Sequence, residues 1–166
     1  PLSEVAVIAD PESMYYVNKN SCINNMALYE QRRELSYVGV PYDLYSTCDL
    51  KNIDIKKYKA YIFLCSFKKT DELISFSEKL KRENKTMIFS YACNLVKDKV
   101  DLKSMSEILC FEIDKNESAE KTILMEGEEY SCSQEAECFK VVGNAVKLAC
   151  YKKSINCAVA YKKEGY

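Results

Sequence analysis

Residues 57–94 read KYKAYIFLCSFKKTDELISFSEKLKRENKTMIFSYACN, and this stretch decides the fold. Residues 60–65 form a short apolar run rich in aromatic and β-branched side chains, which is typical of a strand buried on both faces. Residues 86–91 form a second such run. Between the two runs Thr70 can cap a helix, and the apolar stripe of that helix consists of Leu73, Phe76, Ser77 and Leu80. Strand, helix and strand in this order predict a βαβ unit with parallel strands and a right-handed crossover.

The flanking sequence extends this unit in both directions. Residues 4–9 and 42–45 are predicted strands, and a helix capped by Asn20 or Ser21 and ending near Tyr37 lies between them. Residues 49–57 are interpreted as a polar linker. We therefore predict a doubly wound α/β part over residues 1–98 within a single domain covering residues 1–166. Beyond it, we expect a short helix over residues 102–110 and an antiparallel β extension, predicted from residues 122–125, 138–142, 146–151 and 157–161.

Composition excludes several classes of protein. With 166 residues, 48% hydrophobic content and a net charge of −1, the chain fits a globular domain that binds neither nucleic acid nor a membrane surface. Its nine cysteines are odd in number and lack CxxC spacing, so reduced, buried thiols in a cytoplasmic protein are favoured over a disulfide framework or a zinc site. The chain contains no histidine, which excludes Cys-His and Ser-His pairs and histidine-bound metals within this sequence. We expect no cofactor.

Cys93 is the one candidate nucleophile of this sequence. It follows a predicted strand at the carboxyl end of the sheet, where open α/β sheets place their chemistry. Class I glutamine amidotransferases carry a nucleophile in such a strand-to-helix elbow. The elbow requires small neighbouring residues, however, and here Tyr91 and Asn94 are close by. A structural cysteine is the favoured interpretation, and a nucleophile is the alternative.

Exposed contact surfaces are the other candidate sites. Met14, Tyr15 and Tyr16 form an apolar patch after the first strand, which either folds back onto the core or contacts another domain. Arg32 and Arg33 belong to a charged stripe of the next helix, which is either solvated or part of an interface. The thirteen tyrosines could stack on sugars, although packing in the core or an interface is favoured. The many glutamates of the second half show no enforced spacing, so they are interpreted as solvated.

Four segments together resemble the β-galactosidase trimerisation domain of glycoside hydrolase family 42. They are IADPESMYYVN (8–18), LYEQRRELSYVGVPYDLYSTCDL (28–50), KYKAYIFL (57–64) and TDELISFSEKLKRENKTMIFSYA (70–92). The resemblance implies a three-layer flavodoxin-like, glutamine amidotransferase-like fold, with helices on both faces of a parallel sheet. It also implies a non-catalytic domain that follows the catalytic barrel and helps to assemble the oligomer, so the implied partners are a second copy and an upstream barrel.

The resemblance also bears on the elbow and on the end of the chain. It places Tyr91 at the position of a lost amidotransferase nucleophile, while Cys93-Asn94 replaces the family's usual Pro-Gly. It implies one more strand and a closing helix after Gly165-Tyr166, so we expect a chain shorter than the natural domain, with its last edge covered by a second copy. Two alternatives stay open at this point: a free-standing amidotransferase-like enzyme that uses Cys93, and a sugar- or protein-binding module.

Overall fold

The computed structural model describes residues 3–18 and 21–163, without the side chains of residues 132–136. Asn20, Gly165 and Tyr166, which the sequence interpretation singled out, therefore lie outside the described residues. The chain divides into two compact units, of which one ends at Ser104 and the other begins at Met105. Each unit is described by itself below, and the assignment of residues 1–166 to a single domain stays a prediction.

The first unit is built on a four-stranded parallel sheet. Its strands have the order β2-β1-β3-β4 and are β1 (Val5–Ala9), β2 (Tyr42–Ser46), β3 (Ala60–Leu64) and β4 (Thr86–Phe89). In β1, Ile8 lies opposite Tyr45 on one side and Phe63 on the other. The parallel pairing of β3 with β4 confirms the predicted βαβ arrangement and the α/β class.

Helix α2 (Asp71–Arg82) forms where the sequence predicted it. The Thr70 side-chain oxygen accepts a hydrogen bond of 3.1 Å from the Leu73 backbone N–H, as an N-cap does. Asp71 lies in the first turn and Arg82 in the last, so both charges complement the helix dipole. The buried stripe consists of the four predicted residues Leu73, Phe76, Ser77 and Leu80.

Aromatic side chains fill the core between α2 and the sheet. Phe63 on the interior strand β3 is fully buried and stacks on Phe89 with ring centroids 4.5 Å apart. The Phe76 ring of α2 makes edge-to-face contacts with Phe63 at 6.4 Å and with Tyr61 at 5.7 Å. Such pairs add about 0.5–1.5 kcal/mol each beyond the area that they bury.

Strand β4 differs from the prediction of a strand buried on both faces over residues 86–91. It ends at Phe89, and Thr86 and Ile88 are exposed, Ile88 by 49%. Within the described residues β4 pairs only with β3, so it is an edge strand of this sheet. An apolar run alone does not distinguish an edge strand from an interior one.

The first predicted helix also differs from the expected regular α-helix. The Ser21 hydroxyl accepts a hydrogen bond of 3.2 Å from the Ile23 backbone N–H, as a cap would. The segment then runs as a π-helix, Asn25–Glu30, before α1 (Gln31–Tyr37) begins. Only Ala27 and Leu28 of this segment are buried, and α1 has no buried residue, so its packing is weaker than the apolar spacing suggested.

Two 3₁₀ segments replace predicted turns and linkers. Pro11–Tyr16 follows β1, and Thr47–Asn52 occupies part of the predicted polar linker. The second segment begins with a capping box, in which the Ser46 hydroxyl and the Asp49 carboxylate each accept a backbone N–H bond. It buries Leu50, which shows that the linker prediction was wrong at this position.

The second unit is mainly antiparallel, as predicted for the C-terminal extension. Helix α3 (Leu102–Leu109) crosses the boundary between the units. Strands β5 (Glu112–Lys115) and β8 (Phe139–Val142) form a two-stranded sheet. A four-stranded sheet has the order β10-β9-β6-β7, with strands β6 (Glu120–Met125), β7 (Glu128–Ala136), β9 (Val146–Tyr151) and β10 (Cys157–Tyr161). Prediction missed β5 and β7 because charged and polar residues dominate both strands.

A buried carboxylate organises the turn between β9 and β10. Glu120 is 6% exposed and accepts backbone N–H bonds from Lys153 at 2.7 Å and Ser154 at 3.0 Å. The Asn116 side-chain amide donates a third bond of 3.3 Å. Burial by itself raises the pKa of the Glu120 carboxyl, but the hydrogen bonds from Ser154, Lys153 and Asn116 outweigh it, and the pKa is lowered. The four-stranded sheet therefore contains an ionised, satisfied core carboxylate.

Candidate functional site

The candidate site lies at the carboxyl end of the parallel sheet. Strands β1, β3 and β4 all end there, and they are followed by Asp10, Cys65 and the Tyr91–Asn94 turn respectively. Because β2 pairs with one side of β1 and β3 with the other, chain connections diverge between β1 and β3. Open α/β sheets bind their ligands at such a switch point.

Asp10 is a buried carboxylate whose bonding capacity is used within the protein. It accepts hydrogen bonds from the Ser13 hydroxyl, from Thr47 Oγ1 at 2.9 Å and from the Glu12 backbone N–H at 3.2 Å. The Ser13 oxygen in turn accepts a bond of 2.9 Å from the Lys68 backbone N–H. These bonds tie the 3₁₀ segment to the segment after β3, so the role supported for Asp10 is structural.

The turn after β4 has a strained, elbow-like backbone. Tyr91, Ala92 and Asn94 have φ angles of 38°, 51° and 60°, in the left-handed region that residues other than glycine rarely adopt. The Asn94 backbone N–H donates to the Ser66 carbonyl at 2.7 Å, and the Tyr91 ring contacts the Phe67 ring edge-to-face at 5.9 Å. The segment after β3 thus holds the turn in place.

The Cys93 thiol is enclosed within this elbow. Its side chain is 2% exposed, and burial, together with the negative charge of Asp10, raises its pKa well above the ordinary value. Burial likewise raises the pKa of Cys65 to about 12. Because its pKa is raised, the Cys93 thiol stays protonated at neutral pH, whereas the thiolate is the nucleophilic form. The arrangement favours a structural cysteine over a nucleophile.

Asn94 is the residue of this turn that sequence reasoning had not considered as part of the core. It is fully buried, and its Nδ2 donates a hydrogen bond of 2.6 Å to the Ser104 carbonyl. Its Oδ1 has no hydrogen-bond partner among the described residues. A positive φ suits asparagine better than most residues, and this preference is the sequence signal that could have identified it.

The predicted contact residues occupy two exposed places. On the first 3₁₀ segment, Tyr15 is 88% exposed and Tyr16 is 45% exposed, whereas Met14 is half-buried. On α1, Arg32 and Arg33 are exposed, and Arg33 pairs with Glu34 at 3.0 Å. The 3₁₀ segment is anchored by Asp10 and Ser13 and by an ion pair between Glu12 and Lys68. Its tyrosines are therefore presented by a well-held backbone.

A shallow groove of about 230 Å³ lies between the second 3₁₀ segment and α2. It is lined by Leu50, Lys51, Asp71, Glu72, Ser75, Phe76 and Lys79. Asp10, Cys65 and residues 91–94 do not line it. Within the described ranges, no group of three or more acidic or cysteine side chains could hold a metal ion. Nor does any helix in those ranges have the length and apolar character to cross a membrane.

Comparison with solved structures identifies proteins that share this fold. A catalytic mutant of Gan42B, a GH42 beta-galactosidase from G. stearothermophilus, matches with a TM-score of 0.69 and 17% identity. The match covers 95% of this chain and 25% of that one. The beta-galactosidase of the haloarchaeon Halorubrum lacusprofundi matches with a TM-score of 0.62 and 14% identity, covering 94% of this chain and 25% of that one.

A third match is the beta-galactosidase from Rahnella sp. R3, with a TM-score of 0.61 and 17% identity, covering 93% of this chain and 26% of that one. The chain thus spans about a quarter of the length of these enzymes. No protein-family model matches the sequence, and the comparison with curated proteins finds no match either. At these identities the likeness establishes a shared mixed α/β fold.

Proposed function

We propose that this chain is a non-catalytic accessory domain that assembles subunits in a protein related to GH42 beta-galactosidases. Its partners in this proposal are a second copy of itself and a catalytic barrel that precedes it in the same polypeptide. The observation that carries the proposal is the match over 95% of this chain to only 25% of Gan42B. A domain that fits one part of a larger hydrolase is expected to serve that larger protein.

The chemistry of the elbow supports a role without catalysis. The Cys93 thiol is buried and has a raised pKa, and the chain has no histidine to act as its base. Asp10 is occupied by hydrogen bonds from Ser13, Thr47 and Glu12. Nucleophilic catalysis requires an accessible nucleophile within reach of a base, and this arrangement provides neither.

The proposed fold is three-layered and flavodoxin-like, with helices on both faces of the parallel sheet. The strand order β2-β1-β3-β4 supports it, because the connections from β1 to β2 and from β3 to β4 run in opposite directions along the sheet. Right-handed crossovers in opposite directions place their helices on opposite faces. In this proposal α2 covers one face of the sheet, and the helical segment that carries the buried Ala27 and Leu28 covers the other.

The proposed assembly surface centres on Tyr15 and Tyr16, with Met14, Arg32 and Arg33 as further candidates. An 88% exposed tyrosine on an anchored backbone loses little conformational entropy when it is buried by a partner. Tyrosine and arginine are also enriched among the residues that dominate binding energy. Together these features support an interface centred on the 3₁₀ segment that follows β1.

Sedimentation velocity over a hundredfold range of concentration tests the proposal. We expect self-association that the double change Tyr15→Ser with Tyr16→Ser weakens at least ~10-fold, which corresponds to about 1.4 kcal/mol. The matched control is Tyr130→Ser, since Tyr130 is 50% exposed and lies in the other unit. A monomer at every concentration would contradict the assembly role, and so would an oligomer indifferent to the double change.

A further inference from the structure

Two cysteines of the second unit lie directly opposite each other on neighbouring strands. Cys150 near the end of β9 pairs with Cys157 at the start of β10 in the antiparallel register. Directly opposed residues of an antiparallel pair project from the same face of the sheet. Both residues carry free thiols in this structure. Their side chains are therefore cross-strand neighbours.

The hydrogen-bond pattern identifies the geometry of this pair. The Tyr151 backbone N–H donates to the Asn156 carbonyl at 2.9 Å, so Tyr151 directs its peptide groups toward β10. The Lys152 N–H donates to the Thr122 carbonyl at 3.0 Å, so Lys152 directs its peptide groups toward β6. In the pairing of β9 with β6, Leu124 lies opposite Cys150. Because peptide groups alternate along a strand, Cys150 directs its own toward β6 and forms a non-hydrogen-bonded pair with Cys157.

This pair type brings the two sulfur-bearing carbons within reach of each other. Non-hydrogen-bonded antiparallel pairs have Cα atoms ~4.5 Å apart, whereas hydrogen-bonded pairs are ~5.5 Å apart. Disulfides span Cα separations of roughly 4.4–6.8 Å, so the bridge requires no large movement of the backbone. The turn between the strands is held by Glu120, which accepts the Lys153 and Ser154 N–H groups. Cys150 and Cys157 are therefore paired next to this turn before any bond forms, and the register shifts only beyond Cys157, between Cys157 and Val159 and again before Ala160.

We propose that Cys150 and Cys157 form a reversible disulfide site that locks β10 onto β9, with a small-molecule disulfide such as oxidised glutathione as the oxidant. This site is independent of the proposed assembly function. In the first step the Cys150 thiolate attacks one sulfur of glutathione disulfide, forms a mixed disulfide and releases one glutathione thiolate. In the second step the Cys157 thiolate attacks Cys150 Sγ, forms the Cys150–Cys157 bond and releases the second glutathione thiolate. The two protons lost by the cysteines are taken up by the two glutathione thiolates, and two electrons pass to glutathione.

The exposure of the two thiols sets the order of the steps. Cys150 is half-buried, whereas Cys157 is 3% exposed and donates a hydrogen bond of 3.4 Å to the Val159 carbonyl. Burial also raises the pKa of the Cys157 thiol. A bulky disulfide therefore reaches Cys150 first, and Cys157 acts as the resolving thiol inside the folded hairpin.

The test incubates the folded, reduced chain with oxidised glutathione, blocks the remaining thiols by alkylation and digests the protein with trypsin without reduction. Mass spectrometry should find peptides 148–152 and 154–162 joined by a disulfide, and the linked form should account for most of the two peptides. Dithiothreitol should reverse the link. The matched control Cys48→Ser, which changes an exposed cysteine outside the pair, should leave the link unchanged.

The variants Cys150→Ser and Cys157→Ala should each abolish the linked peptide. Cys150→Ser alters the half-buried residue and keeps the test valid if Cys157→Ala does not fold, as circular dichroism would reveal. In Cys157→Ala the mixed disulfide with glutathione should accumulate on Cys150. A native chain in which Cys48 becomes glutathionylated but the two peptides stay separate would overturn the proposal. A link that forms only in denaturant would overturn it as well.

Discussion

The Tyr58 hydroxyl donates a hydrogen bond of 2.5 Å to the Asp43 carboxylate and so joins the segment before β3 to strand β2. The same carboxylate accepts bonds from Lys57 Nζ at 2.6 Å and from the Ser3 hydroxyl at 3.0 Å. The bond from Lys57, followed by those from Tyr58 and Ser3, lowers the pKa of Asp43 to about 2. Stability of the sheet edge is thereby coupled to the ionisation of one aspartate.

We expect the folded state to lose stability as the pH falls from about 4 to about 2. The folded-state pKa of Asp43 lies below its ordinary value of 3.8, so the folded state favours the ionised carboxylate. The stabilisation of the folded state by the ionised Asp43 carboxylate is complete above the unfolded-state pKa. It is lost as the pH falls through the folded-state pKa. Urea unfolding at several pH values measures this loss, and Asp43→Asn should make its pH dependence shallower than in the wild type.

The control for this experiment is Asp98→Asn, which changes an exposed aspartate whose carboxylate makes no hydrogen bond within the described part of the chain. It should reproduce the wild-type pH dependence. If Asp43→Asn and Asp98→Asn gave the same curve between pH 4 and 2, the hydrogen bonds at Asp43 would not stabilise the fold.

Phe63→Ala should destabilise the protein by about 3–5 kcal/mol, because it opens a cavity in the fully buried aromatic core. The Phe63 ring is in contact with both Phe76 and Phe89, so the loss affects the sheet and α2 together. Chemical denaturation monitored by circular dichroism measures the free energy of unfolding. Ile88→Ala on the exposed face of β4 serves as the control and should cost about 1 kcal/mol or less. A cost below about 1 kcal/mol for Phe63→Ala would show that Phe63 on β3 does not lie in the core.

Glu120→Gln should destabilise the second unit by about 1–3 kcal/mol. The amide NH₂ that replaces one carboxylate oxygen is itself a donor, so it leaves a buried backbone N–H without an acceptor. The affected donors are the Lys153 and Ser154 N–H groups. Hydrogen exchange at these two amides should also accelerate. Glu128→Gln, at an exposed position, is the matched control. Equal stability of the two variants would contradict a structural role for the Glu120 carboxylate.

Cys93 should be chemically inert in the native protein. At pH 8 we expect iodoacetamide to modify the exposed Cys48 at least ~100-fold faster than Cys93, because reaction requires an accessible thiolate. The two residues should react alike in urea. The chain should also hydrolyse neither glutamine nor nitrophenyl galactosides. Turnover that disappears in Cys93→Ser would refute the accessory role and restore Cys93 as a nucleophile.

Local patterns predicted those elements that carry a clear apolar run or apolar stripe of their own. Helix α2 was predicted with its cap and its buried stripe, because Thr70 and the four stripe residues act within one segment. The positions of β9 and β10 followed from apolar runs separated by turn residues. Polar strands such as β7 were missed, because pairing with a neighbouring strand stabilises them and their own residues give little sign of a strand.

The sequence by itself determined the parallel βαβ centre, the absence of histidine chemistry and the antiparallel character of the second half. Only the tertiary structure decided which strands lie at sheet edges, since pairing partners are remote in sequence. It also decided that Asp10, Asn94 and Glu120 are buried and that Cys150 faces Cys157. Burial and strand register are long-range properties, because each depends on segments that meet only after the chain has folded.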